Sequence, residues 1–339
     1  MTQRRVLRAP CSRAQAQTAA LALLAALLVV GTGAGPPRVE VTSRVADLSG
    51  FRMEYTVARA PAPSGPPLVF VHGSFHGSWC FAEHWLPYFA ARGRDAFALS
   101  LRGTAASPQA PARSIGVDEH VEDVCAFLRA EVGEPVVLVG HSFGGAYVQK
   151  VLERGDAPVA AAVLLCAVPP SGNGRMIWRF LRRSPRDALR ITRGFALKSA
   201  ARDLSDASAL FFAGALPDEA VRRYMARFAA DSACGLDVRD FSKKLPNRGG
   251  AEPPAWVRSC PPILVVGAEQ DAVVDVQAVE ETAVFYGAKR VLLRGLGHDV
   301  MLVPGWEGAA DVIGEWLADL PGSSAADQGQ QKGSKRLSR

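Results

Sequence analysis

Short apolar runs recur through the middle of this chain, each followed by a stretch that mixes apolar and charged positions. The runs are Leu68–Val71, Ala96–Leu101, Val136–Val139, Ala161–Cys166, Ile263–Val266 and Arg290–Leu293. Between or after them lie amphipathic segments around Phe81–Ala91, Asp118–Glu131, Gly144–Glu153, Val276–Phe285 and Trp306–Leu320. A strand that is apolar at nearly every position must be covered on both faces. Strands of that kind alternating with helices predict an α/β fold: a mostly parallel, doubly wound sheet. Residues 36–67 are proline-rich, and the weak alternation of Phe51–Val57 suits an edge strand or hairpin. The rhythm breaks between Pro169 and Ala255, a gap bounded by Pro169-Pro170 and Pro253-Pro254. Its content reads as helical, for example Asp203–Ala215 and Pro217–Ala230. This predicts a helical lid insertion, about residues 169–255, after the sixth strand and above the C-terminal edge of the sheet.

With 339 residues and 48% apolar content, the chain can bury a full core. The simplest organisation is one domain over residues 36–320, a targeting or anchor segment over 1–35, and a disordered basic tail over 321–339. The net charge of +6 is carried by the ends. Residues 1–40 contribute +4 and residues 321–339 contribute +3, which leaves the body near −1. No nucleic-acid module accompanies that charge. Arg4, Arg5, Arg8 and Arg13 precede an apolar run from Ala19 to Val30, and no acid occurs before Glu40. That layout suits secretory entry, an uncleaved anchor, or organelle import, and the run is short for a membrane span of roughly 20 residues. Six cysteines form no C-x-x-C pair. Cys125 and Cys166 fit apolar patterns, and a Cys234–Cys260 disulfide stays open. Residues 175–202 hold nine basic residues and one acid, Asp187. Three readings of that segment stand: a solvated face paired with core acids, a contact with an anionic membrane surface, and a site for an acidic substrate.

The chemistry concentrates after Pro135-Val136-Val137-Leu138-Val139, where Gly140-His141-Ser142-Phe143-Gly144-Gly145 follows. This is G-x-S-x-G between an apolar strand and an apolar helix, the context in which the motif lifts a serine hydroxyl above the sheet. A serine hydroxyl needs a base, and the base needs an orienting acid. Of six histidines only His298 lies beyond Ser142, in Gly295-Leu296-Gly297-His298 after a strand. Asp271, after Pro261–Gly267, is the preferred acid, with Asp275 and Glu269 as close rivals and Asp299 as a weaker one. An oxyanion needs donors. The candidates are the backbone N–H of Phe143 and that of Ser74 in His72-Gly73-Ser74-Phe75-His76-Gly77, where Gly73 permits a close backbone approach. His72 and His76 lack a carboxylate or cysteine at ligand spacing, so they are not read as metal ligands, and His72 is expected to brace the turn. His72, Gly73, Trp79 and Trp178 are candidate pocket residues.

Together these segments resemble the α/β-hydrolase fold. Val71-His72-Gly73-Ser74-Phe75-His76-Gly77-Ser78-Trp79-Cys80, the serine turn and Gly297-His298-Asp299-Val300-Met301-Leu302 are similar to the corresponding stretches of plant methyl esterases and their hydroxynitrile lyase relatives. The resemblance spans roughly Leu68 to Leu320. The lyases of that group carry a lysine after the base and a threonine in the oxyanion turn, where this chain has Asp299 and Gly73. The resemblance therefore implies hydrolysis. The expected activity is cleavage of small-molecule or lipid carboxylic esters through Ser142, His298 and Asp271, with an acyl-enzyme and no cofactor or metal. Lyase or acyl-transfer chemistry on the same triad, or a scaffold that binds without turnover, are the alternatives. The expected partner is the ester itself, with membrane contact through the N-terminal segment or the basic insertion. Ser142 argues against epoxide hydrolases and haloalkane dehalogenases, which use aspartate at that position.

Overall fold

A computed structural model describes residues 39–48, 50–108, 114–232, 235–247 and 252–320. The targeting segment and the basic tail expected at the two ends lie outside these residues. No helix among the described residues is long and apolar enough to cross a membrane.

Ten strands are present among the described residues: β1 (Val41–Leu48), β2 (Phe51–Ala58), β3 (Leu68–Val71), β4 (Ala96–Leu99), β5 (Ser114–Ile115), β6 (Val136–His141), β7 (Val159–Leu165), β8 (Gly235–Leu236), β9 (Ile263–Ala268) and β10 (Lys289–Leu293). Eight of them form one sheet in the order β1-β2-β4-β3-β6-β7-β9-β10. β1 and β2 pair antiparallel, β2 joins β4 antiparallel, and every later pairing is parallel. β3, β4, β6 and β9 are buried along their whole length, as their unbroken apolar runs require. The hairpin partner of Phe51–Val57 is β1, which the sequence pattern does not reveal. Most of its residues face solvent, and only Ala46 and Leu48 are buried.

The segment expected as one helix over Phe81–Ala91 is two, Trp79–Ala82 and Trp85–Ala91, broken at His84 with φ −128°. Phe81, Trp85 and Phe89 still converge on Phe70, with ring centroids 4.8, 5.8 and 5.8 Å from it. Each such pair adds about 0.5–1.5 kcal/mol beyond its buried area. This cluster stiffens the base of β3, the strand whose end carries the His72–Gly77 turn.

β7 pairs directly with β9, starting at Ala162 and Ile263, so the segment between them leaves the sheet intact. That segment holds helices Gly174–Arg183, Pro185–Ala196, Leu204–Phe211, Asp218–Asp231 and Val238–Lys243. Ser184 and Asp203 cap two of them, each accepting a hydrogen bond from the third residue of its helix. The parallel bridge of β5 with β8 ties the insertion to the segment just before helix Val117–Phe127.

Candidate active site

β6 ends at His141, and helix Phe143–Arg154 starts one residue after Ser142. Ser142 has φ 55° and ψ −121°, a conformation that costs a non-glycine residue about 1–3 kcal/mol. Three backbone bonds hold it there. Its N–H donates to Leu165 O at 3.1 Å, and its carbonyl accepts from Gly145 at 3.0 Å and Val168 at 3.1 Å. The flanking glycine at 144 is forced by space: a Cβ there would stand 2.2 Å from the Val71 carbonyl oxygen. Gly73 has the same reason. A Cβ on it would meet the Ser142 Cβ at 2.7 Å and its Oγ at 3.2 Å, so the turn after β3 lies directly against the serine. Among the described residues neither the Ser74 nor the Phe143 backbone N–H has an acceptor, and the Ser142 hydroxyl has no hydrogen-bond partner.

The two histidines of the turn are fully committed. His72 Nε2 accepts from the Leu101 N–H at 3.0 Å, so its Nδ1 carries the proton donated to Gly73 O at 2.7 Å. Burial pushes its pKa down to about 3, which keeps this brace neutral. His76 binds Ser74 O through Nδ1 at 2.7 Å and Asp299 through Nε2 at 2.9 Å. Both partners are oxygens, and the pair is buried on both sides.

Asp271 meets His298: Nδ1 lies 2.8 Å from Oδ2, both side chains almost wholly buried. The other oxygen of Asp271 accepts from the N–H groups of Val273 at 2.7 Å and Val274 at 2.8 Å. These bonds fix the carboxylate and leave the histidine Nε2 on the far side of the ring. Burial lowers the pKa of His298, but the charge and hydrogen bond of Asp271 outweigh it, and the net shift is upward. The rival acids are used elsewhere. Asp275 caps helix Val276–Tyr286 through Ala278 and takes a bidentate hydrogen bond from Arg179 at 2.7 and 2.6 Å. Glu269 accepts from the Gly295 N–H, and Asp299 is held by His76. The loop of His298 is tied to the serine turn by His141, whose Nε2 donates to His298 O at 3.0 Å. Two ligand-type triplets, His141–His298–Asp299 and Cys166–Asp271–His298, lie close together, but both rely on His298, whose Nδ1 is already given to Asp271.

A cavity of about 780 Å³ opens beside Ser142. Its wall is mainly apolar, with Phe75, Phe143, Val168, Phe180, Phe195 and Val274 among the lining residues. His72, Gly73 and Ser74 line it as well. Trp79 and Trp178 do not, which corrects two of the four pocket residues expected. Trp79 is turned away by its indole N–H, which donates to Asp231 at 2.7 Å while the ring stacks on His76. Trp178 points outward and is 60% exposed, because the inward face of its helix is taken by Met176, Ile177 and Phe180. His120 contributes a buried imidazole to the wall, 4.7 Å between ring centroids from Tyr147. Burial lowers its pKa to about 3, and its ring has no hydrogen-bond partner among the described residues.

A family model described as the alpha/beta hydrolase family matches residues 68–310, most of the described chain. The chain belongs to the alpha/beta hydrolase family. Within it, the chain is similar to plant esterases. It is 38% identical over 124 residues to a probable esterase of rice (Oryza sativa subsp. indica), covering 35% of this chain and 46% of the relative. It is 31% identical over 103 residues to methyl jasmonate esterase 1 of Vitis vinifera (30% and 39% covered). A carbendazim hydrolyzing esterase of Nocardioides is 30% identical over 109 residues, with 32% and 45% covered. The chain thus spans less than half the length of these relatives. Among solved structures, a thermophilic esterase aligns over 82% of this chain and 98% of its own at TM-score 0.58 and 20% identity. A membrane phospholipase A aligns over 90% and 95% at TM-score 0.58 and 18% identity. These structural likenesses concern the fold.

Within this hydrolase fold, sequence reasoning passes over the His76–Asp299 pair and His120. The pair joins residues 223 positions apart, and nothing local marks either as the other's partner. His120 sits one turn into an ordinary amphipathic helix, where its spacing resembles that of any core-facing position. Cys260, one half of the disulfide left open, is a free thiol, while Cys234 lies outside the described residues.

Proposed function

We propose that this chain is a serine hydrolase that cleaves carboxylic esters of small molecules or lipids. The observation that carries the reading is the buried 2.8 Å Asp271–His298 bond beside a serine held at φ 55° at the mouth of an apolar cavity. In the proposed mechanism the Ser142 Oγ attacks the ester carbonyl carbon as its proton passes to His298 Nε2. That hydrogen bond forms when substrate closes the site, as such bonds commonly tighten only in the complex. Asp271 holds the imidazole tautomer and stabilises the imidazolium. The N–H groups of Ser74 and Phe143 receive the oxyanion, and each such donor is worth about 3–4 kcal/mol in the transition state. His298 then protonates the departing alkoxide, and the acyl-enzyme is resolved by water activated by the same base. The helices between β7 and β9 act as a lid that keeps bulk water out and shapes the acyl or alcohol pocket.

A fluorophosphonate probe tests the reading directly. Wild-type protein is expected to be labelled at Ser142, and Ser142→Ala to stay unlabelled. Folded wild-type protein that resists the probe and turns over no ester in a panel of varied acyl and alcohol size would point instead to a scaffold that binds without reacting.

A further inference from the structure

Among the described residues, eight large apolar side chains are exposed, and five of them fall between residues 177 and 197: Ile177, Trp178, Leu181, Leu189 and Leu197. Trp178 is 60% exposed, Leu189 60% and Leu197 63%. They lie on, or just after, the two helices Gly174–Arg183 and Pro185–Ala196. Exposing so much apolar surface in one place marks a contact surface rather than scatter. The charges around it share one sign. Arg179 is spent on Asp275, and Arg190 and Arg193 lie near Asp206. Arg175, Arg182, Arg183 and Arg186 have no carboxylate partner among the described residues, and Asp187 is the only acid within these two helices. Arg182 lies over the Trp178 ring, its guanidinium carbon 5.9 Å from the ring centroid. An indole and leucines fringed by arginines match the boundary layer of a bilayer, where rings enter the headgroup region and guanidinium groups meet lipid phosphates. The same helices also face inward: Ile177 is half exposed yet lines the cavity, so the surface lies at the rim of the candidate site.

We propose that the outer face of residues 174–197 seats the protein on an anionic lipid bilayer, with the cavity opening beside it. On the ester-hydrolase reading, from which only this corollary follows, the favoured substrates are amphiphilic esters that reach Ser142 from the lipid phase.

The test uses the full chain with an environment-sensitive fluorophore on Leu189→Cys, in a background carrying Cys11→Ser, Cys234→Ser and Cys260→Ser. The same label on Val45→Cys, on edge strand β1, is the control. Vesicles of phosphatidylcholine and phosphatidylglycerol, about two to one, are expected to blue-shift the label at 189 and leave that at 45 unchanged. Pure phosphatidylcholine, or replacement of Arg175, Arg182, Arg183 and Arg186 by Gln, is expected to weaken binding by on the order of a hundredfold. Vesicle co-sedimentation without a shift at 189 would assign binding to another part of the chain and overturn the proposal. So would a concentration-dependent shift without lipid, which would mean a second copy covers the face. No binding at all, or equal binding to neutral vesicles, overturns it too. Fluorophosphonate labelling and turnover of a soluble acetate ester, measured on the same proteins, report the hydrolase reading separately. The Gln variant is expected to retain both while losing about tenfold or more of its rate on a vesicle-borne ester.

Discussion

The imidazole of His298 is pulled in opposite directions, by burial toward the neutral form and by Asp271 toward the charged one, and the carboxylate wins. On the proposed mechanism His298 is the general base and works unprotonated, so activity should fall as pH drops through this raised value. The acid limb of kcat/KM is therefore expected above the ordinary histidine value of 6.5. Asp271→Asn removes the leading upward cause. Its acid limb should move down while kcat falls by about 10⁴-fold, the loss typical of a mis-set tautomer. Asp275→Asn is the informative contrast. It weakens a helix cap and the Arg179 contact, so about 1–3 kcal/mol of stability should go while kcat stays within severalfold. A pH–rate series and thermal melts on both variants check these outcomes. That Asp271 and His298 would lie on strand-ending loops was legible because such loops appear in the sequence as apolar runs followed by polar residues. The choice among Asp271, Asp275 and Glu269 was not. It depends on which carboxylate can accept from two successive N–H groups and still reach the ring, a matter of a few ångströms of loop path.

At the level of elements, fully buried strands advertise themselves and half-exposed ones do not. β3, β4, β6 and β9 are apolar throughout, whereas β1 carries Thr42, Ser43, Arg44 and Asp47 and reads as loop. β5 and β8, two residues each, are too short to leave a periodic signal. In the insertion the helices were legible but their facing was not, because residues 174–183 have apolar side chains on both sides and only tertiary contact chooses between them. The strand-to-helix junction gives a sharp test. Gly144→Ala drives a methyl into the Val71 carbonyl, and a backbone atom cannot step aside. A loss of about 3 kcal/mol or more, seen as a large fall in melting temperature or in soluble yield, is expected. Gly314→Ala, in helix Trp306–Ala318 with open space around it, should instead raise stability by about 0.5–1 kcal/mol.

For the whole molecule, the cavity decides what can react. Ile191 lines it from the insertion, far in sequence from Ser142. Ile191→Trp should lower kcat/KM for long-chain esters by about 10–100-fold while leaving acetates near wild type, because lost room is felt only by substrates that need it. A panel of p-nitrophenyl esters graded by acyl length reads this out. The sequence predicted an insertion over the sheet edge, but not the size of the cavity beside Ser142, since that space is bounded by loops and helices from widely separated parts of the chain. The contact between His76 and Asp299 has a consequence in time as well as in space. Its members are 223 residues apart, so the turn after β3 and the loop of His298 join only after the chain has been made through Asp299. On the proposed mechanism, a chain that stops short of His298 holds its serine without a base and is expected to be inert.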